Sequence, residues 1–332
     1  MVGQFPFSIA LQTLLRAWSG DVVAGVRRRT LFLSVFLLSM AAVAPASLAM
    51  EAGQSPYLKG YRDFASGVLP PPGLQFRLDI NAYRGQESSQ IPQGQLATDV
   101  RNVTSIVGLT FVTPMQLWGG TYAFALRGAA TAASADRTVT NRFGRNSASG
   151  DVTGFNDVVV TPFVLGWHRG NWHWNLAASV WMPAGTYDTG RIVNAGRNFW
   201  SWAPQAAVTY LDREKGWEFS AAASYVVNFE NTATRYQSGD IAHLDLAAMK
   251  AIAPRLWIGA VGYAVSQVTD DSGAGNMLGA RRLQVFGAGP AIRYVIGAGK
   301  APVTLTAKYY REFSARNTAE GDTGAISLRF HF

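Results

Sequence analysis

The sequence contains no cysteine. That excludes a disulfide framework, a thiolate metal site, a cysteine nucleophile and a lipidated N-terminal cysteine. Histidine is scarce as well: four in 332 residues argue against a histidine-rich metal site. Charged residues make up 15% of the chain, where about a quarter is usual in a soluble protein. The formal net charge of +8 is scattered and forms no basic stripe, so nucleic acid is not an expected partner. Mean hydropathy is only +0.05, far too low for a bundle of transmembrane helices. Such a value suits a barrel, in which only alternate residues face lipid.

What the chain does have begins with a leader. Arg27-Arg28-Arg29 precedes an apolar run over 31–44, followed by Pro45-Ala46-Ser47-Leu48-Ala49. This is the n-region, h-region and small-residue site of a signal peptide, with cleavage expected after Ala49 and Ala46 as second choice. The run is too short to span a bilayer as a helix, which disfavours a membrane anchor. The adjacent arginines also admit a twin-Arg signal, but a precursor that must stay unfolded favours the ordinary secretory route. Residues 1–26 exceed what a signal peptide needs, so the natural start is expected downstream of Met1.

Beyond residue 73 the dominant signal is a period of two. Ile326, Leu328, Phe330 and Phe332 oppose Ala325, Ser327, Arg329 and His331. Leu74, Phe76, Leu78, Ile80 and Ala82 oppose Gln75, Arg77, Asp79, Asn81 and Tyr83. Side chains of a strand alternate between faces, so each segment has an apolar and a polar side. Strands are expected near 101–113, 121–131, 157–167, 172–182, 200–211, 217–229, 241–252, 256–267, 281–295, 302–313 and 324–332, besides the one from 74. The registers of 157–167, 256–267 and 281–295 are irregular. Short turns near 114–119, 168–171, 212–216, 253–255 and 296–300 alternate with longer polar loops near 85–100, 132–156, 183–199, 230–240, 268–280 and 314–323. This alternation is the habit of outer-membrane barrels, whose periplasmic turns are short and external loops long. A Greek-key sandwich has no reason for it. Aromatics gather at strand ends, at Trp118, Tyr122, Trp167, Trp172, Trp200, Trp202, Tyr210, Trp217 and Trp257, as in an interfacial belt. The expected fold is all-β: an antiparallel up-and-down transmembrane β-barrel of about twelve strands, both termini periplasmic. The expected organisation is a signal peptide over 1–49, a periplasmic lead-in or short plug over 50–73, and the barrel over 74–332. Localisation follows as the outer membrane of a Gram-negative cell.

Several motifs add a resemblance. Glu51-Ala52-Gly53 leads to Tyr57-Leu58, Gly60 and Leu69-Pro70-Pro71-Pro72-Gly73. Pro183-Ala184-Gly185-Thr186-Tyr187-Asp188 is followed by Asn194-Ala195-Gly196-Arg197-Asn198-Phe199-Trp200. Glu230-Asn231, Tyr236-Gln237-Ser238-Gly239-Asp240, Thr269-Asp270-Asp271-Ser272-Gly273 and Gly287-Ala288-Gly289-Pro290 complete the set. In order and spacing the chain resembles, from Glu51 to about Tyr294, the outer-membrane family named for the meta-pathway of phenol degradation. Ala184 departs from the threonine more common there. The resemblance implies a transporter barrel and no catalytic residues; its link to phenol is one of association, since fold alone does not give function.

By parity, Arg77, Asp79, Arg127, Trp181, Glu218, Asp245, Lys308, Glu312 and Arg329 are expected to line the lumen. They could form a charged constriction that selects solutes, or ion pairs that fill a narrow barrel. The loop carboxylates Asp188, Asp240, Asp270, Asp271 and Asp322 lack calcium-loop spacing and read as solvated. Residues 194–202 could stack an aromatic solute or form an interfacial turn. For catalysis, His243 and Asp245 share a face but lie ~7 Å apart along the strand. Ser220 and Ser224 on the neighbouring strand leave a Ser–His pair conceivable, yet nothing such as Gly-x-Ser-x-Gly marks a nucleophile. The expectation is a passive outer-membrane channel or transporter for small, aromatic or hydrophobic organic solutes, without cofactor or metal. Its partners would be membrane lipid, the solute, and the outer-membrane insertion machinery, reached through the strand ending at Phe332. The alternatives are a structural or adhesive barrel with a closed lumen and, further off, a lipid hydrolase.

Overall fold

A strand with an apolar outer face must leave no edge in lipid, because no water is there to satisfy a free backbone N–H or C=O. The chain solves this by closing its sheet. A computed structural model describes residues 55–91, 94–277, 279–297 and 302–332. The expected signal peptide lies outside the described residues. The strands are β1 (Gly73–Ile91), β2 (Gly94–Leu117), β3 (Gly120–Asn141), β4 (Gly144–Phe155), β5 (Val158–Arg169), β6 (Trp172–Met182), β7 (Ser201–Asp212), β8 (Trp217–Asn228), β9 (Ile241–Ala253), β10 (Leu256–Gln267), β11 (Gln284–Ile296), β12 (Val303–Arg316) and β13 (Glu320–His331). Neighbours pair antiparallel in sequence order, and β1 pairs with both β2 and β13, which closes the ring. β4 is not a stave. It pairs with the far half of β3, while β5 takes the near half, so twelve strands form the wall.

The parity read from the sequence is the parity of the wall. Leu109, Phe124, Leu126, Leu176, Val208, Phe219, Leu246, Ile258 and Ile292 are exposed on the outer face. Asp79, Asn175, Thr209, Glu218, Asp245, Lys308 and Tyr310 are buried on the inner one. Trp118, Trp172 and Trp217 are exposed at one end of the strands, and Trp200, Trp202 and Phe229 at the other. Trp257 departs from the expected belt: it is half-buried on the inner face, and the Arg293 guanidinium lies 4.6 Å from its ring.

Three expected loops are strand instead. β1 and β2 stay paired to Ile91↔Gly94, and β3 and β4 to Asn141↔Gly144, so 85–100 and most of 132–156 form two long hairpins. Only residues 317–319 separate β12 from β13. A span needs ~9–11 residues. β1 to β3 run 19, 24 and 22 residues, and the excess projects beyond the lipid. There both faces meet polar surroundings, so the period of hydropathy that marks a strand is lost. The irregular segments have local causes. In β5 the register with β6 shifts between Val160 and Phe163, around Pro162, which has no N–H to give the ladder. Shifts also occur at Leu256/Trp257 and at Gln284/Phe286.

The short turns at 118–119, 170–171, 213–216 and 254–255 share one end of the barrel with the start of β1 and the end of β13. There Phe332 N donates to Leu74 O at 2.8 Å. The other end carries the long hairpins and the connections 183–200, 229–240 and 268–283.

Candidate functional site: an inner segment and the cavity beside it

Residues 55–72 join no sheet. They rise inside the barrel from the short-turn end, and their polar groups find partners on inward side chains of the wall. The Asp245 carboxylate accepts from Tyr57 Oη at 3.1 Å, Gly60 N at 3.1 Å and Arg62 N at 3.0 Å. Glu218 accepts from Ala65 N at 2.8 Å, and Thr209 Oγ1 from Gly67 N at 2.9 Å. The Arg62 guanidinium donates to Gln205 and Asn175, both at 2.7 Å. Charges pair across the same boundary. Lys308 Nζ lies 2.6 Å from Asp63 Oδ2, which also accepts from Tyr310 Oη at 2.7 Å. Lys59 pairs with Glu312. Gly60 is required where it stands: its φ is +69°, and a Cβ there would meet the Tyr310 ring. Tyr57, Phe64, Trp181, Val226, Tyr263 and Tyr310 form a buried cluster where the segment packs on the wall. After Leu69 the prolines at 70, 71 and 72 carry no N–H, so the exit toward β1 asks for no donor partners.

Beside this segment, toward the long-loop end, a cavity of about 300 Å3 remains. Its walls are the inner faces of β1, β2 and β3, with Val265, Leu283 and Val285 opposite. Tyr57 and Tyr61 of the inner segment and Trp181 of β6 also line it. Small inward residues, among them Thr98, Thr104, Ala129, Thr131 and Ala133, keep it open. The connection 183–200 folds in over the cavity. Asp157 holds it, accepting from Gly185 N at 3.0 Å and Arg197 N at 2.9 Å, while Asn156 Nδ2 donates to Ala195 O at 3.1 Å. Gly185 and Gly196 meet back to back: a Cβ on Gly185 would come within 2.6 Å of Gly196 Cα. Burial raises the Asp157 carboxyl above its ordinary range, and the two backbone donors and the Arg197 charge only partly oppose this. Burial also lowers the Arg197 guanidinium to about 10, with Asp157 pulling the other way.

Where the cavity meets the inner segment, arginines form a row. β13, β1, β2 and β3 place Arg329, Arg77, Gly108 and Arg127 opposite one another in register. Gly108 leaves a gap in this row, and the Tyr61 ring occupies it. The Arg77 and Arg127 guanidinium carbons sit 4.0 and 5.0 Å from its centroid. Asp79 is the carboxylate beside this row, 2.8 Å from Arg77.

The residues singled out from the sequence thus sort into three groups. Arg77, Asp79, Arg127 and Arg329 stand at the arginine row; Glu218, Asp245, Lys308 and Glu312 hold the inner segment; Trp181 packs on Tyr57, ring centroids 6.4 Å apart. The segment's own Tyr57, Lys59, Tyr61, Arg62 and Asp63 were not foreseen, because a stretch without periodicity gives no face to assign. Its density of charge so close to a proline run is the one available hint. Arg293, paired with Glu218 at 2.6 Å, was hidden by the uncertain register of its strand.

One expectation is corrected. Asp271 is not solvated: it is 6% exposed and accepts from Tyr236 Oη at 2.6 Å, Gly239 N at 2.9 Å and Gln267 Nε2 at 2.8 Å. Burial raises its carboxyl, against these donors. His243 pairs with Ser55, Nε2 to Oγ at 2.7 Å, and with neither Ser220 nor Ser224. Its buried Nδ1 has no partner, so no acid orients the ring.

The fold is shared with a solved barrel. The chain is similar to the COG4313 outer membrane channel from Pseudomonas putida F1, at 14% identity and a TM-score of 0.65, over 81% of this chain and 99% of that one. It is also similar to the translocator domain of autotransporter NalP from Neisseria meningitidis, at 10% identity and a TM-score of 0.44, over 79% of this chain and 90% of that one. No curated protein matches the sequence. The family described as "Putative MetA-pathway of phenol degradation" matches residues 62–330, most of the chain. The protein is a β-barrel of the outer membrane, and it belongs to that family.

Proposed function

We propose that the protein is a passive outer-membrane channel for small organic solutes, aromatic or hydrophobic ones included, and that it catalyses no reaction. The observation that carries this is the cavity of about 300 Å3, bounded by aromatic and polar side chains and by a segment held by hydrogen bonds and ion pairs. The size falls at the lower end of small-molecule sites, roughly 300–1,000 Å3. In this reading the long-loop end faces outward and both termini lie in the periplasm. Solute enters past the connection 183–200, rests in the cavity and leaves when residues 55–68 shift as a plug. The family's description, which names phenol degradation, supports an aromatic solute, and the name of the Pseudomonas structure, an outer membrane channel, supports a channel role. The strand ending at Phe332 is the handle for the outer-membrane insertion machinery.

The test is conductance of the refolded mature chain in a planar bilayer, with phenol or benzoate added on either side. Unit openings that the aromatic blocks are expected. Silence from protein shown to be folded by heat-dependent gel mobility would overturn it. That outcome would favour the second reading, a structural or adhesive barrel with a closed lumen. The buried cluster of Tyr57, Phe64, Trp181, Tyr263 and Tyr310 speaks for that alternative.

A further inference from the structure

The charges around the cavity do not balance. Lys59, Arg127, Arg137 and Arg197 line it, against the carboxylates of Glu87 and Asp157. With Arg137 set aside and the ion-pair partners just behind brought in, Glu312 for Lys59 and Arg281 for Glu87, an excess of one positive charge remains. Arg127 stands apart within this set. Among the described residues its guanidinium reaches two hydroxyls, Thr161 Oγ1 at 3.5 Å and Ser179 Oγ at 3.4 Å, and the face of Tyr61. By contrast Arg62, Arg77, Arg293 and Lys308 each have a partner at 2.8 Å or closer. Its neighbours in the cross-strand row deepen the imbalance: Arg77 shares Asp79, and Arg329 forms no ion pair among the described residues.

A guanidinium offers a planar fork of donors that matches a carboxylate bidentately. Hydroxyls at long range leave that fork underused. Apolar and aromatic side chains form another part of the lining: Ile106, Val159, Trp181, Val265 and Leu283 face the cavity, with the ring of Tyr57. The lining therefore offers a flat apolar surface for a ring and, beside it, a fork for a planar anion. We propose that the cavity is a binding site for a single-ring aromatic carboxylate, whose carboxylate sits on Arg127 and whose ring lies against Trp181 and Tyr57. This names the solute class of the channel reading and rests on it for its role in transport. Binding itself does not depend on that reading.

The experiment uses the full mature chain refolded in detergent. Quenching of tryptophan fluorescence and titration calorimetry would compare benzoate with benzyl alcohol, its uncharged counterpart of like shape. Benzoate is expected to bind at least tenfold tighter. Arg127→Gln should erase that preference, and Arg127→Lys should keep part of it, because a point charge replaces the fork. Arg311→Gln should leave it intact, since Arg311 is exposed and paired with Asp322 away from the cavity. Equal affinities for the two probes, no binding of either, or a benzoate preference that survives Arg127→Gln would each overturn the proposal. If Arg127→Gln fails to fold, the wild-type comparison decides alone. Bilayer recording separates the two claims. Benzoate binding without conductance keeps the site and removes the channel; conductance without benzoate preference keeps the channel and removes the site.

Discussion

If residues 55–68 act as a plug, Asp245 is its latch, and removing that carboxylate should open the lumen. Asp245 is 1% exposed, and three donors of one turn converge on it: Tyr57 Oη, Gly60 N and Arg62 N. Asp245→Ala leaves all three without their acceptor while the segment stays docked. A buried group that loses its hydrogen-bond partner costs about 1–3 kcal/mol. Three of them, not fully additive, weaken docking by roughly 3–6 kcal/mol. Undocking returns the donors to water, so the penalty falls on the docked form only. At 1.4 kcal/mol per factor of ten, the undocked population should rise about 10²- to 10⁴-fold. Two assays read this independently. Bilayer recordings should show more frequent or larger openings. Trypsin should cut after Lys59 or Arg62, which the docked segment shields, in variant protein whose barrel still shows heat-dependent gel mobility. Asp245→Asn keeps one acceptor and should fall between wild type and Asp245→Ala. A folded Asp245→Ala barrel with wild-type conductance and wild-type resistance at both sites would refute the latch.

The other predictions follow from the same geometry. Deleting residues 51–68 should raise permeability beyond Asp245→Ala, measured by swelling of liposomes in benzoate or sugar; unchanged swelling would mean the segment blocks nothing. Leu246→Arg puts a charge on the lipid face near the middle of β9, where Leu246 is 44% exposed, and should cost about 2–4 kcal/mol in a urea titration in lipid vesicles. The loop cover should tighten as pH falls. Asp157, which holds that cover, has a carboxyl raised by burial, so the closed cover binds protons more readily than the open one. The stability it contributes is complete below the ordinary carboxylate range and is lost as pH rises through the raised value. Conductance should therefore decline on acidification from neutral, and Asp157→Asn should flatten the profile; the opposite slope would count against this account.

The wall of the barrel was legible because lipid imposes one rule on every stave. A residue such as Leu176 or Leu246 must be apolar where its neighbours Asn175 and Asp245 need not be, and a period of two survives any choice of side chain. The rule lapses where lipid ends, and the sequence falls silent there. Residues 86–91, 94–99, 136–141 and 144–149 are strands by backbone pairing, yet their hydropathy does not alternate. The same reason hid the site. Arg62 is held by partners more than a hundred residues away, Asn175 and Asp245, and Tyr61 by arginines of two strands, and no local pattern encodes that. The arginine row could be read only in part. Arg77, Arg127 and Arg329 were placed on inward faces by parity, but that they stand level, with Gly108 as the gap between two of them, depends on register. Register between distant strands such as β1 and β13 has no signature in a single sequence.

The chemistry of the inner interface bears on whether it can open. A lumen filled for stability alone would be expected to use apolar packing, since a buried ion pair is seldom more stabilising than well-packed apolar side chains of like volume. This lumen does the opposite over much of its contact. Asp245 and Glu218 accept backbone N–H groups, Lys308 and Asp63 pair across the boundary, and Arg62 reaches two neutral amides. Every one of those groups can exchange its partner for water when the segment moves, so undocking strands few of them. The apolar cluster around Tyr57, Phe64 and Tyr310 sets the rest position, and the polar bonds set its register. A segment held in this way is specific in where it sits and moderate in what it costs to displace, which is the combination a plug requires and a permanent filling does not.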